Sequence, residues 1–440
     1  MTLLLRSLDR KNKIIKTFTV GAYAKIIGVL VTFAMVPLGV DYLGTEQYGL
    51  WVAVSSLIAM LSFTDAGVGN ALVNMISRAT GIYSKKTLQP IISTSYFVIA
   101  IIAILGAVVF FSIYRFISWE WVFGITNNNL TQLSPLILIV GLAFFLGMPF
   151  TVVGNIQRGF QEGNIQAFWT AKGRLLSLLF VYIVIQMDLG ILGFAAAFVS
   201  GPIAAGAVNS INYFILQKKE LFPRFSFVTR TEAKTILGIG SLFFILQVTS
   251  SIQMQADNII IANMLGPSLV TPYAICMQLF MAVPMIMTLF LAPLWPAYSE
   301  ALASKDNLWI KLIFIKSIKV TLMIGVPTSI LLVFFGKDLI HLWVGKEIVV
   351  SSMLLIGFGF WMLMMLVGNT LAVLLNGLQI VKTQIIISIT AAVFNFILTV
   401  VFISYIGVEG AVYGSIVSYL ICVIIPYSFL IPVYFRKLEV

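Results

Sequence analysis

Charge is what this 440-residue chain has least of: Asp, Glu, Lys and Arg together make up 10% of it, and there is one histidine. A water-soluble domain clothes its surface with roughly 25% charged residues, so the composition excludes a soluble globule. Acids are scarcer than bases, 16 against 27. With so few carboxylates, and with His341 standing alone beside Trp343, there is no constellation for acid–base hydrolysis or metal-assisted chemistry. The chain is therefore expected not to be an enzyme. The two cysteines, Cys276 and Cys422, lie in apolar stretches far apart in sequence. They read as small core residues rather than a disulfide or a metal pair.

What is present is hydrophobicity, at 60% of residues, gathered into long runs. An apolar run of about 20 residues crosses the hydrocarbon core, where only helices or closed barrels satisfy backbone polar groups. These runs lack the period-two alternation of barrel strands. An all-α polytopic membrane protein with twelve transmembrane helices is expected, at about 15–40, 48–76, 89–114, 133–157, 166–187, 191–216, 235–264, 270–298, 310–335, 351–376, 384–405 and 409–435. The first run is too long for a signal peptide and lacks a small-residue cleavage site. Pro37, Pro149, Pro284, Pro293, Pro296 and Pro327 fall inside spans, and the eighth span is the one most expected to bend.

Of the 27 Lys and Arg residues, 23 fall on or near alternate connections and only Arg115, Lys337 and Lys346 on the others. Positive connections stay in the cytoplasm, so both termini are expected there. The net charge of +11 then reflects loops facing an anionic leaflet, and no nucleic-acid partner is implied. Lys25 is the remaining base, and it lies inside the first span.

The most polar connection, Gln217 to Lys234 with its Phe222-Pro223 breaker, divides the chain into an N-terminal half (1–217), a linker (218–234) and a C-terminal half (235–440). Short matches relate the halves. Leu43-Gly44 pairs with Leu265-Gly266 at an offset of 222, Gly159-Phe-Gln161 with Gly377-Leu-Gln379 at 218, and Gly190-x-x-Gly193 with Gly407-x-x-Gly410 at 217. Six spans per half preserve orientation, which predicts parallel repeats about an axis along the membrane normal.

A basic tail, Leu43-Gly44-x-x-x-Tyr48-Gly49-Leu50-Trp51, Asp65-x-Gly67-x-Gly69-Asn70, and Asp257 eight residues before Leu265-Gly266 resemble the O-antigen and polysaccharide repeat-unit flippases. These belong to the multidrug/oligosaccharidyl-lipid/polysaccharide exporter superfamily. The resemblance implies a V-shaped, MATE-like fold with a central cavity, in the bacterial cytoplasmic (inner) membrane. It implies an undecaprenyl-diphosphate-linked oligosaccharide as cargo, moved from the cytoplasmic to the periplasmic leaflet. Membrane lipid, a polysaccharide polymerase and a chain-length regulator are the implied partners. No cofactor is implied, only coupling to an H+ or Na+ gradient. A MATE-type drug/cation antiporter is the competing reading. A membrane polymerase or ligase for the same sugars would be expected to carry a large periplasmic loop, which is missing.

Intramembrane ionisable groups are the natural places for a cargo site. Lys25 lies about nine residues inside the cytoplasmic boundary, roughly 13 Å deep, and either faces a cavity or snorkels and pairs with Asp65. On the seventh span Gln247, Ser251, Gln255 and Asn258 form one helical row, with Gln253 and Asp257 in the next. That stripe lines the cavity or joins helices, and Asp257 is a candidate for ion coupling. Arg78, Arg158, Lys172 and Arg174 either guide a diphosphate inward or serve only as positive-inside anchors. Lys316 and Lys319 share a face with the same two readings. Gln157, Gln161, Asn164 and Gln166 offer sugar-compatible polarity or plain loop solvation. The cationic Lys25, with no acid on its span, favours an anionic cargo over a cationic drug.

Overall fold

A computed structural model describes the backbone of residues 2–60, 65, 67–82, 88–125, 132–160, 162–291, 293–303, 305–345, 348–378 and 380–439. Side chains are described from residue 20 onward within those ranges, except at 22, 25, 77–82, 242, 243, 245, 246, 250, 296, 300, 303, 381 and 437–439. Lys25 and Arg78 therefore lie outside the described side chains.

The described elements are all helices: α1 (Thr2–Met60), α2 (Val68–Ile82), α3 (Leu88–Tyr114), α4 (Trp119–Val122), α5 (Leu133–Gly159), α6 (Gly163–Gln186) and α7 (Gly190–Ile211) precede the linker. After it come α8 (Arg230–Leu265), α9 (Val270–Leu291), α10 (Leu294–Ala303), α11 (Asn307–Val344), α12 (Ser352–Gly377), α13 (Val381–Ile406), α14 (Glu409–Tyr419) and α15 (Ile425–Glu439). Among the described residues, ten helices are long and apolar enough to cross a membrane. The chain is thus an all-helical, multi-pass membrane protein. Two expected spans fall outside those ten. They are the seventh, which α8 carries, and the second, which is interrupted at Gly67, just before α2 begins at Val68.

That interruption has a local cause. Asp65 turns back so that Oδ1 accepts from the Gly67 amide at 2.8 Å and Oδ2 from the Gly69 amide at 3.2 Å. The carboxylate thereby satisfies amides at the start of α2 that have no helical partner. Gly67 takes φ +70°, and a Cβ there would lie 2.1 Å from the Gly240 carbonyl oxygen. Only glycine serves at this position. In the eighth span, where a bend is expected, α9 stops at Leu291 and α10 begins at Leu294, after Pro293. The ninth span runs longer than the expected 310–335, with α11 continuing to Val344. The linker is tied down. The Arg224 and Thr229 amides donate to Ser93 Oγ (3.2 Å) and Thr94 Oγ1 (3.1 Å), and the Phe225 ring meets Phe97 edge-on.

Seven glycines have positive φ among the described residues, and six of them form three pairs. Gly44 (φ 73°) matches Gly266 (φ 94°) at an offset of 222, Gly124 (63°) matches Gly345 (108°) at 221, and Gly190 (63°) matches Gly407 (71°) at 217. The amides of Gly266, Gly345 and Gly407 each donate to the carbonyl four residues back, the left-handed turn that ends a helix. Gly67 is the one left over, and it marks the interruption of the second span.

The chain forms two compact units. One comprises Met1–Leu43, Ile58–Trp119 and Asn127–Val248; the other comprises Gly44–Leu57, Glu120–Thr126 and Thr249–Val440. The first has a core of Val68, Leu72, Ile76, Ile92, Ile99, Val152, Val153, Ile156 and Tyr213. The second has one built on Leu371, Leu375, Ala391, Val423 and Tyr427. Lipid tails are as apolar as these side chains, so close backbone approach and polar contacts hold such helices together. In the first unit α6 and α7 close on Gly173 and Gly201, and Ser177 Oγ donates to the Phe198 carbonyl at 2.6 Å. In the second, Gly410 and Gly414 let α14 lie against the α13 backbone at Phe402 and Thr399.

Candidate functional site

Within the first unit, α5, α6 and α7 enclose a cavity of about 620 Å³. Arg158 enters it from the last turn of α5, and Arg174 from α6. Arg174 stands eleven residues after Gly163, so it is roughly 16 Å along the helix rather than at its mouth. Asn155, Gln166 and Thr170 supply uncharged hydrogen-bonding groups, and Trp169 a flat ring. Val140, Phe144 and Val199 make the rest of the lining apolar.

Each arginine is fixed by a neighbour that composition alone would not single out. Arg158 Nη2 donates to Asn155 Oδ1. Asn155 Nδ2 in turn sits 2.5 Å from where a Gly69 Cβ would be, and Asp65 Oδ2 lies 3.0 Å from the same point. Arg158 is thus linked through Asn155 to the capped start of α2, and burial and the carboxylate of Asp65 act on the same guanidinium. Arg174 reaches α1 at Gly28, where a Cβ would fall 1.8 Å from its Nη1. Gly28 lies one turn after Lys25.

The other expected site residues go elsewhere. Lys172 is not among the lining residues and is exposed, with Nζ 4.4 Å above the Phe168 ring and 4.8 Å above that of Trp169. This is how an interfacial lysine shelters its stem. Gln157 is fully buried and exchanges two hydrogen bonds with Asn209 (2.9 and 3.2 Å), so it holds α5 to α7 and offers nothing to a ligand. Asp65 accepts from backbone amides as described, and Gln161 lies outside the described residues.

The seventh-span stripe belongs to α8, and its two most polar members are buried in the second unit. Asp257 Oδ2 accepts from Tyr273 Oη (2.6 Å) and Ser415 Oγ (3.2 Å), and Oδ1 from Thr399 Oγ1 (3.3 Å). Asn395 Nδ2 donates to Ser415 Oγ at 2.7 Å, while its Oδ1 is buried with no hydrogen-bond partner among the described residues. Asn258 Nδ2 donates to Ser56 Oγ at 2.9 Å. Gln253 lines a smaller cavity in the same unit. Gln247, Ser251 and Gln255 are half-buried. The stripe therefore divides: part joins helices and part lines a cavity.

The fold defines the class first. The structure superposes on an inward-facing multidrug-resistance MATE family transporter with a TM-score of 0.73 at 14% identity, covering 96% of this chain and 95% of that one. On the lipid II flippase MurJ in its inward closed conformation the TM-score is 0.74 at 16% identity, covering 96% and 89%. The fold is that of the MATE-type transporters. The chain itself belongs to the polysaccharide biosynthesis protein family, whose model matches residues 14–302; residues 242–401 also match the MatE family. A Yersinia pseudotuberculosis protein assigned to O-antigen export is 24% identical over 428 residues, 92% of this chain and 93% of that protein. The family drawn from the sequence motifs is the one the comparisons return.

Proposed function

We propose that the protein flips undecaprenyl-diphosphate-linked oligosaccharide repeat units from the cytoplasmic to the periplasmic leaflet of the bacterial inner membrane by alternating access. The observation that carries this is the meeting of Arg158 and Arg174 in one cavity with amides, a hydroxyl and an indole. Guanidinium forks match phosphate oxygens bidentately. Asn155, Gln166 and Thr170 suit sugar hydroxyls, and the apolar walls tolerate the first isoprene units. The cavity's described lining holds two cations and no carboxylate, which argues against the cationic cargo of a drug antiporter. The lipid II flippase on the same fold and the O-antigen assignment of the Yersinia relative support the same cargo class.

In this reading twelve spans form two six-helix halves, 1–217 and 235–440, joined by the 218–234 linker, with both termini cytoplasmic. The three glycine pairs at near-constant offset support parallel repeats. Ion coupling is assigned to Asp257. Its carboxylate, Thr399, Ser415 and Asn395 Oδ1, which has no partner among the described residues, form a buried, oxygen-rich cluster, the kind of donor set that holds a proton or a hard cation. A polymerase and a chain-length regulator are the partners that would receive the flipped unit. Deleting the gene in its host is the test. Loss of surface polysaccharide, with lipid-linked repeat units held on the cytoplasmic face, supports the proposal. Normal surface glycan in the deletion strain would overturn it.

A further inference from the structure

The second unit contains a cavity of about 190 Å³ with a different chemistry. Its lining includes Gln253 of α8, Gln384 and Ser388 of α13, and the rings of Tyr419 and Tyr427. Charged side chains are absent from that lining among the described residues. The volume equals about six waters at ~30 Å³ each, close to one sugar ring.

The backbone is shaped for it. Residues Leu420–Ile424 form a π-turn between α14 and α15. Eight residues of plain α-helix rotate by about 800°, which would leave Tyr427 about 80° away from Tyr419. A π-turn absorbs one extra residue, so the eight turn as about seven, roughly 700°, and the two rings come to within about 20° of one line. Tyr419, Val423 and Tyr427 accordingly face the same cavity. Tyr419 is fixed twice. Trp361 packs edge-on against it at 5.5 Å, and its hydroxyl occupies the space of a Cβ on Gly368, 1.8 Å from that point. The Gln384 amide nitrogen is held by Asn376 Oδ1 (3.1 Å) and the Ile380 carbonyl (2.9 Å), which orients the whole amide.

We propose that this cavity is a subsite for an uncharged sugar ring of the cargo. Flat aromatic faces meet the apolar C–H face of a pyranose, and uncharged amides and a hydroxyl meet its hydroxyl groups. An ion would find no counter-charge there, and a prenyl chain would set the Gln253 amide and the Ser388 hydroxyl against hydrocarbon. The subsite rests on the flippase reading. It adds a sugar contact in the second unit to the polar groups that the first unit offers.

The test compares two probes on the purified full-length protein: undecaprenyl diphosphate, and the same lipid carrying one N-acetylglucosamine. Wild type should bind the sugar-bearing lipid more tightly. Ser388→Ala and Gln384→Leu should each reduce that preference about tenfold, as loss of one or two hydrogen bonds does, while bare undecaprenyl diphosphate binds as before. Gly368→Ala, which displaces the Tyr419 ring, should act in the same direction, and the two polar-group variants decide the matter if it does not fold. Equal affinity of wild type for both probes, an unchanged preference in the variants, or an equal loss for both probes overturns the subsite alone. If wild type binds neither lipid, the flippase reading falls with it.

Discussion

Arg174 of α6 lies where Gly28 of α1 has no side chain: a Cβ on that glycine would stand 1.8 Å from Nη1 and 2.9 Å from Cζ. The helix thus leaves space for a guanidinium three turns into its neighbour. Gly28→Ala should push Arg174 out of position without breaking the fold, because the displaced group is the end of a flexible chain. Binding of undecaprenyl diphosphate should weaken about tenfold, the scale of one charge-assisted hydrogen bond. Arg174→Ala should weaken it at least as much, and the double variant should add little to the larger single effect.

Arg158 and Arg174 both act as forks in this account. Lysine keeps the charge but not the paired donors. Arg158→Lys and Arg174→Lys should therefore fall between wild type and the alanine variants when complementation of a deletion strain is scored as surface polysaccharide at matched expression. Full activity of both lysine variants would reduce the arginines to a general positive charge.

Gln157 and Asn209 are assigned a purely structural role. Gln157→Leu leaves the Asn209 amide buried without its partner and should cost about 1 kcal/mol of stability. Gln157→Leu with Asn209→Leu should recover part of that loss, since neither polar group is then stranded. Thermal unfolding of the purified protein reads both, and transport per folded molecule should stay near wild type.

The proposed mechanism gives Asp257 to ion coupling and not to cargo binding. Asp257→Asn should leave undecaprenyl diphosphate affinity unchanged while removing the dependence of transport on an imposed H+ or Na+ gradient. Thr399→Val should weaken that dependence in the same direction. Gradient-dependent transport at wild-type rate in Asp257→Asn would remove the residue from coupling.

Membrane character, family and the helix pattern are legible in the sequence because each depends on composition or on a period that survives averaging over 20 residues. The repeat is legible at two of its three glycine pairs. Gly124 with Gly345 is harder to read, because one extra residue, Phe123, separates the glycine from the Trp121-Val122 that matches Trp343-Val344; backbone conformation reveals the pair. The Asp65-x-Gly67 break reads as a motif, yet its effect, a carboxylate spent on the amides of α2, needs the third dimension. Candidate cations chosen by depth and charge include Arg158 and Arg174, but nothing in spacing separates them from Lys172 two residues away. A rotation of about 200° along α6 does. Asn155, Trp169 and Gly28 were missed because a single amide, indole or glycine carries no signal until a partner stands opposite.

The most direct test is flipping in proteoliposomes, measured as transfer of a fluorescent undecaprenyl-diphosphate sugar between leaflets under an imposed ion gradient. The account predicts transfer well above protein-free vesicles for wild type, and the protein-free rate for Arg158→Ala with Arg174→Ala. Transfer by that double variant at the wild-type rate, or none by wild type, would contradict it.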